Sequence, residues 1–269
     1  RLPLLLAFVI PLAAAELPRP KIRRIYPLGG RQGASVQTEI LGSYLSNARR
    51  VEFDCRDLVW EQTTHARSGK LSGTLSITRN APLGPHWFRV WTEEGYSTSA
   101  IFNVGQFPDV LEKEPNDRIA EAQPISRIPV EVQGFLDGAP DIDVFRIQSR
   151  AGERWTIDLR SLDRGSSLEA KMLLLDGNGE RLVFNDDRDD FDESPFIQHR
   201  FEEDGTYYIR LDQYRGPRGF RFSKDSAYVL RISGLPNLQS ATPLGAAVGG
   251  TTTIKLVGAG LGPVEEVYL

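Results

Sequence analysis

Along this chain apolar residues alternate with polar ones over short runs, and almost nowhere do they recur with the helical spacing of three and four. Alternation over four to eight residues between turn formers is the signature of a strand buried on one face. Between residues 20 and 105 this pattern predicts strands at 34–41, 50–53, 71–77, 86–92 and 97–104, with Glu93, Glu94 and Gly95 marking a hairpin between the last two. From residue 112 onward it predicts strands at 144–147, 154–159, 172–175, 181–184, 206–211 and 227–232. Arg150 to Gly152 punctuate one pair of these strands, and Asp176-Gly-Asn-Gly179 is a strong hairpin signal between another. One short helix is expected at 117–122, capped by Asn116 or Asp117. The fold class that follows is all-β, built from tandem β-sandwiches.

Two segments depart from this texture. Residues 1–15 hold an apolar run from Leu2 to Leu12 followed by Ala13 and Ala15, the composition of a signal peptide, which predicts export to the cell envelope or the extracellular space. The run is too short to span a bilayer, and no other segment approaches that length, so no membrane span is expected. The second segment is a repeat. Pro20-Lys-Ile-Arg-Arg-Ile-Tyr-Pro-Leu-Gly29 aligns with Pro236-Asn-Leu-Gln-Ser-Ala-Thr-Pro-Leu-Gly245 at a constant offset, which also carries Gly33 onto Gly249, Gly42 onto Gly258, Leu45 onto Leu261 and Val51 onto Val267. Glycines that recur in register imply recurring backbone geometry, so one structural unit is used twice. Four segments result: a signal peptide at 1–15, a first sandwich at 19–105, a second at 106–235, and the start of another copy of the first at 236–269, truncated and without a core of its own.

Composition narrows the function. Lys+Arg 32 against Asp+Glu 36 gives a net charge of -4, without the basic footprint of a nucleic-acid binder. Cys55 is the single cysteine, so no internal disulfide and no cysteine-pair metal site can form. His65, His86 and His199 lie far apart, and no zinc-protease, nucleophile-elbow or phosphate-loop motif is present. A dyad of Cys55 with His65 or His86 is conceivable, but a lone cysteine beside Phe53 reads first as a small core residue. No catalytic residue is assigned, and the chain reads as a non-enzyme.

The candidate chemistry lies in the acids. In Glu112-Lys-Glu114-Pro-Asn116-Asp117, extended backbone around Pro115 would set Glu112, Glu114 and Asn116 on one face with Asp117 beside them. Crowded carboxylates repel unless a cation joins them, and calcium accepts six to eight oxygens in flexible geometry. Asp141 and Asp143 would complete the shell if their loop folds alongside. The opposing reading is that Asn116 or Asp117 caps the helix and Asp143 braces a loop. A denser acidic run, Asn185-Asp-Asp-Arg-Asp-Asp-Phe-Asp-Glu193, reads as a solvated loop, with a second cation or a basic partner as its alternative. Asp176-x-Asn178-x-Glu180 has part of the EF-hand order, but Arg181 occupies the glycine position, so the hairpin is kept. Tyr207, Tyr208 and Tyr214 offer aromatic surface only weakly, since alternation turns one of the adjacent pair inward.

Two resemblances add to this. The opening Pro-x6-Pro-Leu-Gly-Gly, the Gly42-x2-Leu45 step and Ala81-Pro-Leu-Gly-Pro-His-Trp-Phe-Arg-Val90 resemble an IPT/TIG-type immunoglobulin-like domain. From about 112 to 234, EKEPND, VQGFLDGAPDIDVFRI, RAGERWTIDL, LLLDGNGERLVFNDD, DGTYYIRL and YVLRISG follow the order found in bacterial pre-peptidase C-terminal (PPC) domains. That resemblance implies a jelly-roll-like sandwich attached to a secreted peptidase or a large surface protein. Related collagen-binding modules hold calcium with acids around the Glu-Pro-Asn segment, although Pro140 stands where they carry an aspartate. The expectation is a non-catalytic, exported β-domain array that spaces or binds for a larger protein, with structural calcium at Glu112, Glu114, Asn116, Asp117, Asp141 and Asp143. The alternatives are an accessory region of a secreted peptidase, and an adhesion module for a collagen-like protein or a polysaccharide, which would need an exposed aromatic strip on one sheet. Other domains of the same longer chain are its expected partners.

Overall fold

The computed structural model describes residues 18–62, 67, 69–136, 141–161, 166, 168–189, 192–213, 215–216, 219–220 and 226–262. The predicted signal peptide, His65, Pro140, Tyr214 and the last seven residues lie outside this set. Among the described residues the chain is strands, apart from one 3-10 turn at Ile119–Glu121.

The first sandwich packs two sheets. One holds β1 (Lys21–Tyr26), β3 (Ser35–Ser43), β6 (Lys70–Ile77) and β5 (Leu58–Gln62), in the order β1-β3-β6-β5. The other holds β2 (Gly29–Arg31), β9 (Ala100–Gly105), β7 (Gly84–Thr92) and β4 (Ala48–Phe53), in the order β2-β9-β7-β4, with β8 (Gly95–Tyr96) paired to β7. Alternation along β6 and β7 sends Leu71, Leu75, Phe88 and Val90 into one core with Ile25, Ile40, Leu45 and Phe102. Each such side chain contributes about 1.5–3 kcal/mol on burial.

The second sandwich is larger. Its first sheet runs β10 (Asp109–Leu111), β12 (Val130–Phe135), β21 (Ala227–Ser233), β14 (Arg154–Arg160), β17 (Phe196–Arg200). Its second runs β11 (Gln123–Pro124), β13 (Ile142–Ser149), β18 (Gly205–Gln213), β15 (Ala170–Leu175), β16 (Arg181–Asn185). Inward residues of both sheets, among them Phe145, Ile157, Met172, Ile209 and Leu230, form a single core. The Arg150–Gly152 turn carries the chain from the second sheet to the first. The expected Asp176–Gly179 hairpin joins β15 to β16, with Gly179 at φ +85° and Asp176 Oδ1 accepting from the backbone of Asn178 and Glu180 (2.9 and 2.8 Å). Tyr207 is buried and Tyr208 half-buried, as alternation requires. The two-residue strands β19 (Arg215–Gly216) and β20 (Gly219–Phe220) pair with each other.

Two local expectations are corrected. The predicted helix at 117–122 is only the Ile119–Glu121 turn, whose cap is Arg118 with no side-chain bond, so neither Asn116 nor Asp117 caps it. The strand predicted at 97–104 begins at Ala100, because Ser97 turns aside to accept from the Val90 N–H through its hydroxyl (2.9 Å).

The repeat is reproduced residue by residue. β22 (Asn237–Thr242) and β23 (Lys255–Ala259) pair as β1 and β3 do: Lys21↔Ser43 becomes Asn237↔Ala259, and Tyr26↔Glu39 becomes Thr242↔Lys255. The bulge between Ile22 and Arg24 recurs between Leu238 and Ser240. Gly42 and Gly258 each have a carbonyl, of Lys21 and Asn237, where a Cβ would stand. Burial separates the copies: Ile25 and Ile40 are buried, whereas their counterparts Ala241 and Leu256 are only half-covered and Val257 is exposed.

Candidate functional site at the junction

The segment 112–117 leaves the end of β10 and crosses from one sheet of the second sandwich to the other. At its start the Glu112 N–H donates to the Gln133 carbonyl (3.0 Å), and at its far end the Asn116 carbonyl accepts from Val144 of β13 (2.9 Å). Lys113 N–H is fixed between them by Gln123 Oε1 (2.8 Å). The segment forms no regular strand and bends at Glu114 and again at Asp117.

The oxygens do converge. One ligand oxygen from each of Glu112, Glu114 and Asp143 lies within 4.8 Å of the others, and the same holds for Glu114, Asp117 and Asp141. Two ligands of one calcium ion stand at most about 5 Å apart, twice its ~2.5 Å bond length, so both trios have the required spacing. Glu114 belongs to both. Asn116 is fully buried among them. With its amide in one orientation, Nδ2 donates to Glu112 Oε1 (3.3 Å) and the carbonyl oxygen faces two carboxylates. Rotated, the same amide donates to Asp143 Oδ1 and Glu114 Oε2, each at 3.2 Å. In the first orientation three oxygens confront one another, a contact relieved by rotating the amide, by a proton or by a metal ion.

Other groups shape this cluster. Phe135 N–H donates to Glu112 Oε2 (2.8 Å), and the Tyr228 hydroxyl, fully buried on β21, donates to Asp143 Oδ2. Burial pushes the Asp143 carboxyl up to about 9, with Glu112 adding to the rise. It pushes Glu112 up to about 7, with Glu114 adding. Neither an arginine nor a lysine is among the groups that set these values. Gly134 makes the space: a Cβ there would collide with Glu112 Oε2 and stand 2.5 Å from Tyr228 Oη. Tyr228 and Gly134 escaped sequence reasoning. The one signal available was a glycine inside the alternating run Val130–Phe135, a place where two groups can approach closely.

The cluster abuts the contact between sandwiches. Gln133 Oε1 accepts from Gly29 N–H and its Nε2 donates to the Gly29 carbonyl, both at 3.0 Å, and Nε2 also reaches Asp109 Oδ1 (2.8 Å). Tyr26 donates to the Gln133 carbonyl (3.2 Å) and packs its ring 4.3 Å from that of Phe135. Burial raises the Tyr26 hydroxyl to about 12, Glu112 contributing next.

The other acidic run is different. Arg188, inside the run, pairs with the buried Asp158 of β14 and with Asp192 (3.1 Å), while Arg160 also pairs with Asp158 (3.0 Å). The dyad of Cys55 with His86 is not formed: His86 Nδ1 meets Asp54 Oδ1 (2.9 Å) and Nε2 meets the Pro82 carbonyl (2.8 Å). Cys55 Sγ lies 3.6 Å from Asp57 Oδ2. No helix among the described residues is long and apolar enough to cross a membrane.

Comparison with known proteins gives partial likeness. No protein-family model matches the chain. A probable subtilase-type serine protease of Deinococcus radiodurans is 34% identical over 100 residues, which are 36% of this chain and 14% of the protease. Among solved structures, the pre-peptidase C-terminal domain of a Bacillus anthracis collagenase overlays 45% of this chain and 100% of its own (15% identity, TM-score 0.33). A Bacteroides ovatus surface protein from a mixed-linkage glucan utilization locus, solved with a heptasaccharide, overlays 80% of this chain and 75% of its own (10% identity, TM-score 0.26). Overlays of this strength carry no argument about function.

Proposed function

We infer that the chain is a non-catalytic accessory region of a larger exported protein, in which a calcium ion ties the 112–117 segment onto the second sandwich. The observation that carries this reading is the packing of half-buried Glu112 against buried Asp143 and Asn116, with no basic side chain among the described groups that raise the two carboxyls. Two ionised carboxylates in such a place cost several kcal/mol. A hard cation with oxygen ligands removes that cost and suits a donor set of carboxylates and one amide oxygen. Glu112, Glu114, Asn116 and Asp143 would hold it; Asp117 and Asp141, with Glu114, would extend the shell or hold a second ion. Its role is read as structural, tying the segment to the sandwich.

The first sandwich is read as an IPT/TIG-type unit, the second as a PPC-type unit, and β22–β23 as the opening of a further immunoglobulin-like unit. That reading rests on the ordered motifs and on the shared register of the two hairpins. Attachment to a secreted peptidase is the second reading, favoured by the 34% identity to the subtilase-type protease. The chain spans only 14% of that protease, so its proteolytic activity is not carried over. Isothermal titration of the purified chain with calcium chloride tests the site. One or two sites of submillimolar to millimolar affinity, lost on Glu112→Gln with Asp143→Asn, are expected; heat indistinguishable from dilution overturns the reading.

A further inference from the structure

Strand β7 turns His86, Phe88 and Val90 into the core, so Trp87, Arg89 and Trp91 project from the opposite face. Trp87 is 53% exposed and Tyr96, on β8, 44%. Trp91 is half-covered by Arg50, whose guanidinium carbon lies 4.7 Å from the ring centre. Exposed rings grouped on one sheet mark a surface made for contact. Pairing sets Glu52 of β4 beside Arg89, and Arg50 and Tyr96 on either side of Trp91. Between them lies a groove of about 490 Å3 lined by Glu52, Asp54, Trp87, Arg89, Tyr96 and Ser99.

The lining is held in place before any ligand arrives. Asp54 Oδ2 accepts from the Trp87 N–H (2.9 Å), and its Oδ1 is fixed by the buried His86 (2.9 Å). Arg89 Nε donates to Ser99 Oγ (2.8 Å), and Arg50 reaches Tyr96 Oη (3.3 Å). Side chains locked in this way lose little entropy on binding.

We propose that this groove binds a neutral polysaccharide, with Trp87 as the stacking platform. The proposal goes beyond the calcium reading and stands apart from it, because the groove lies on the other sandwich. A sugar ring offers a flat C–H face to an aromatic ring and hydroxyls that both donate and accept. Those hydroxyls satisfy the acceptors Glu52 and Asp54 along one wall and the donor Arg89 along the other. Glu52 pairs with Arg50 and Asp54 accepts from Trp87 and His86; a proline-rich peptide, with carbonyls but few N–H groups, can bond Arg89 but not the remaining lone pairs of these carboxylates. An anionic polymer meets those same two carboxylates. Trp87 and Trp91, the latter flanked by Tyr96, stand four residues apart along the strand, about 13 Å. That span suits a chain of sugars better than a single ring.

The test is affinity electrophoresis of the purified chain in gels containing mixed-linkage β-glucan, xyloglucan, xylan or galactomannan, with alginate as the anionic control. Titration of polyproline and of a collagen-like Gly-Pro-Pro peptide covers the peptide ligands. Retardation by at least one neutral polymer is expected, with a change in tryptophan fluorescence. Trp87→Ala should weaken binding at least tenfold at an unchanged melting temperature, and Glu52→Gln several-fold. Migration unaffected by all four neutral polymers, retardation that survives Trp87→Ala, or preference for alginate or either peptide would overturn the proposal.

Discussion

The two acidic clusters of the second sandwich invert what charge density along the chain implies. The run at 185–193 is the denser, yet Arg188 lies within it and turns back onto the buried Asp158, with Asp192 and Arg160 closing the network. Asp158 and Asp192 are thus paired with arginines, while loss of hydration and the neighbouring Asp186 and Glu193 keep the Asp187 carboxyl above its usual range. The 112–117 segment has fewer acids, but it sets half-buried Glu112 beside buried Asp143 with hydrogen-bond donors and, among the described groups that set their titration, no basic one. What singles out the candidate site is burial that raises its carboxyls, and not the number of acids in a row.

Removing the internal cation from the arginine-paired cluster gives the largest expected effect. Arg188→Ala strands Asp158, which is 1% exposed and keeps only Arg160, so a loss of about 3 kcal/mol in denaturant-induced unfolding is expected. Calcium should not restore it. Calcium rescue of this variant would erase the distinction between the clusters. Next comes Gly134→Ala, where the new methyl group meets Glu112 and Tyr228. Overpacking of this kind costs about 1–3 kcal/mol, and the variant should lose its calcium response as well. A Gly134→Ala protein with wild-type stability and calcium response would show that the glycine does not set the site.

Much of this was legible beforehand, for reasons particular residues make plain. The repeat was readable because Gly42 and Gly258 each sit where a carbonyl excludes a side chain, so geometry fixed the residue type in both copies. Strands facing one core and one solvent layer, such as β7 and β18, kept their alternation. β12 did not. Its polar Glu131 and Gln133 are buried too: Gln133 clasps Gly29 of the first sandwich, and Glu131 lies against Gly105 at the end of β9 while pairing with Arg231 on the neighbouring β21 (2.5 Å). Polarity ceases to mean exposure at such a contact. The six acidic and amide residues of the site were readable as types, but their meeting depended on a bend at 112–117 and on Tyr228, some 85 residues beyond Asp143. Nothing local in the sequence encodes that pairing. The Trp87 face illustrates the same point: alternation puts the ring outward, while the groove beside it comes from β4 and β8.

A melting curve taken at two pH values, with calcium and with chelator, tests whether a cation takes the place of the protons on Glu112 and Asp143. Both carboxyls titrate higher in the folded chain, at about 7 and about 9, than the roughly 4 of an unfolded carboxylate. The folded state therefore binds more protons across that window, and without metal this pair makes stability fall as pH rises from 5 to 8. A calcium ion bound there would replace those protons, so its stabilisation should be small at pH 5, where it must displace them, and larger at pH 8. At pH 8 and ~10 mM calcium the melting temperature should rise by about 3–6 °C over chelator, and Glu114→Gln with Asp143→Asn should abolish the rise. A wild-type curve at pH 8 that is the same in calcium and in chelator would contradict the account.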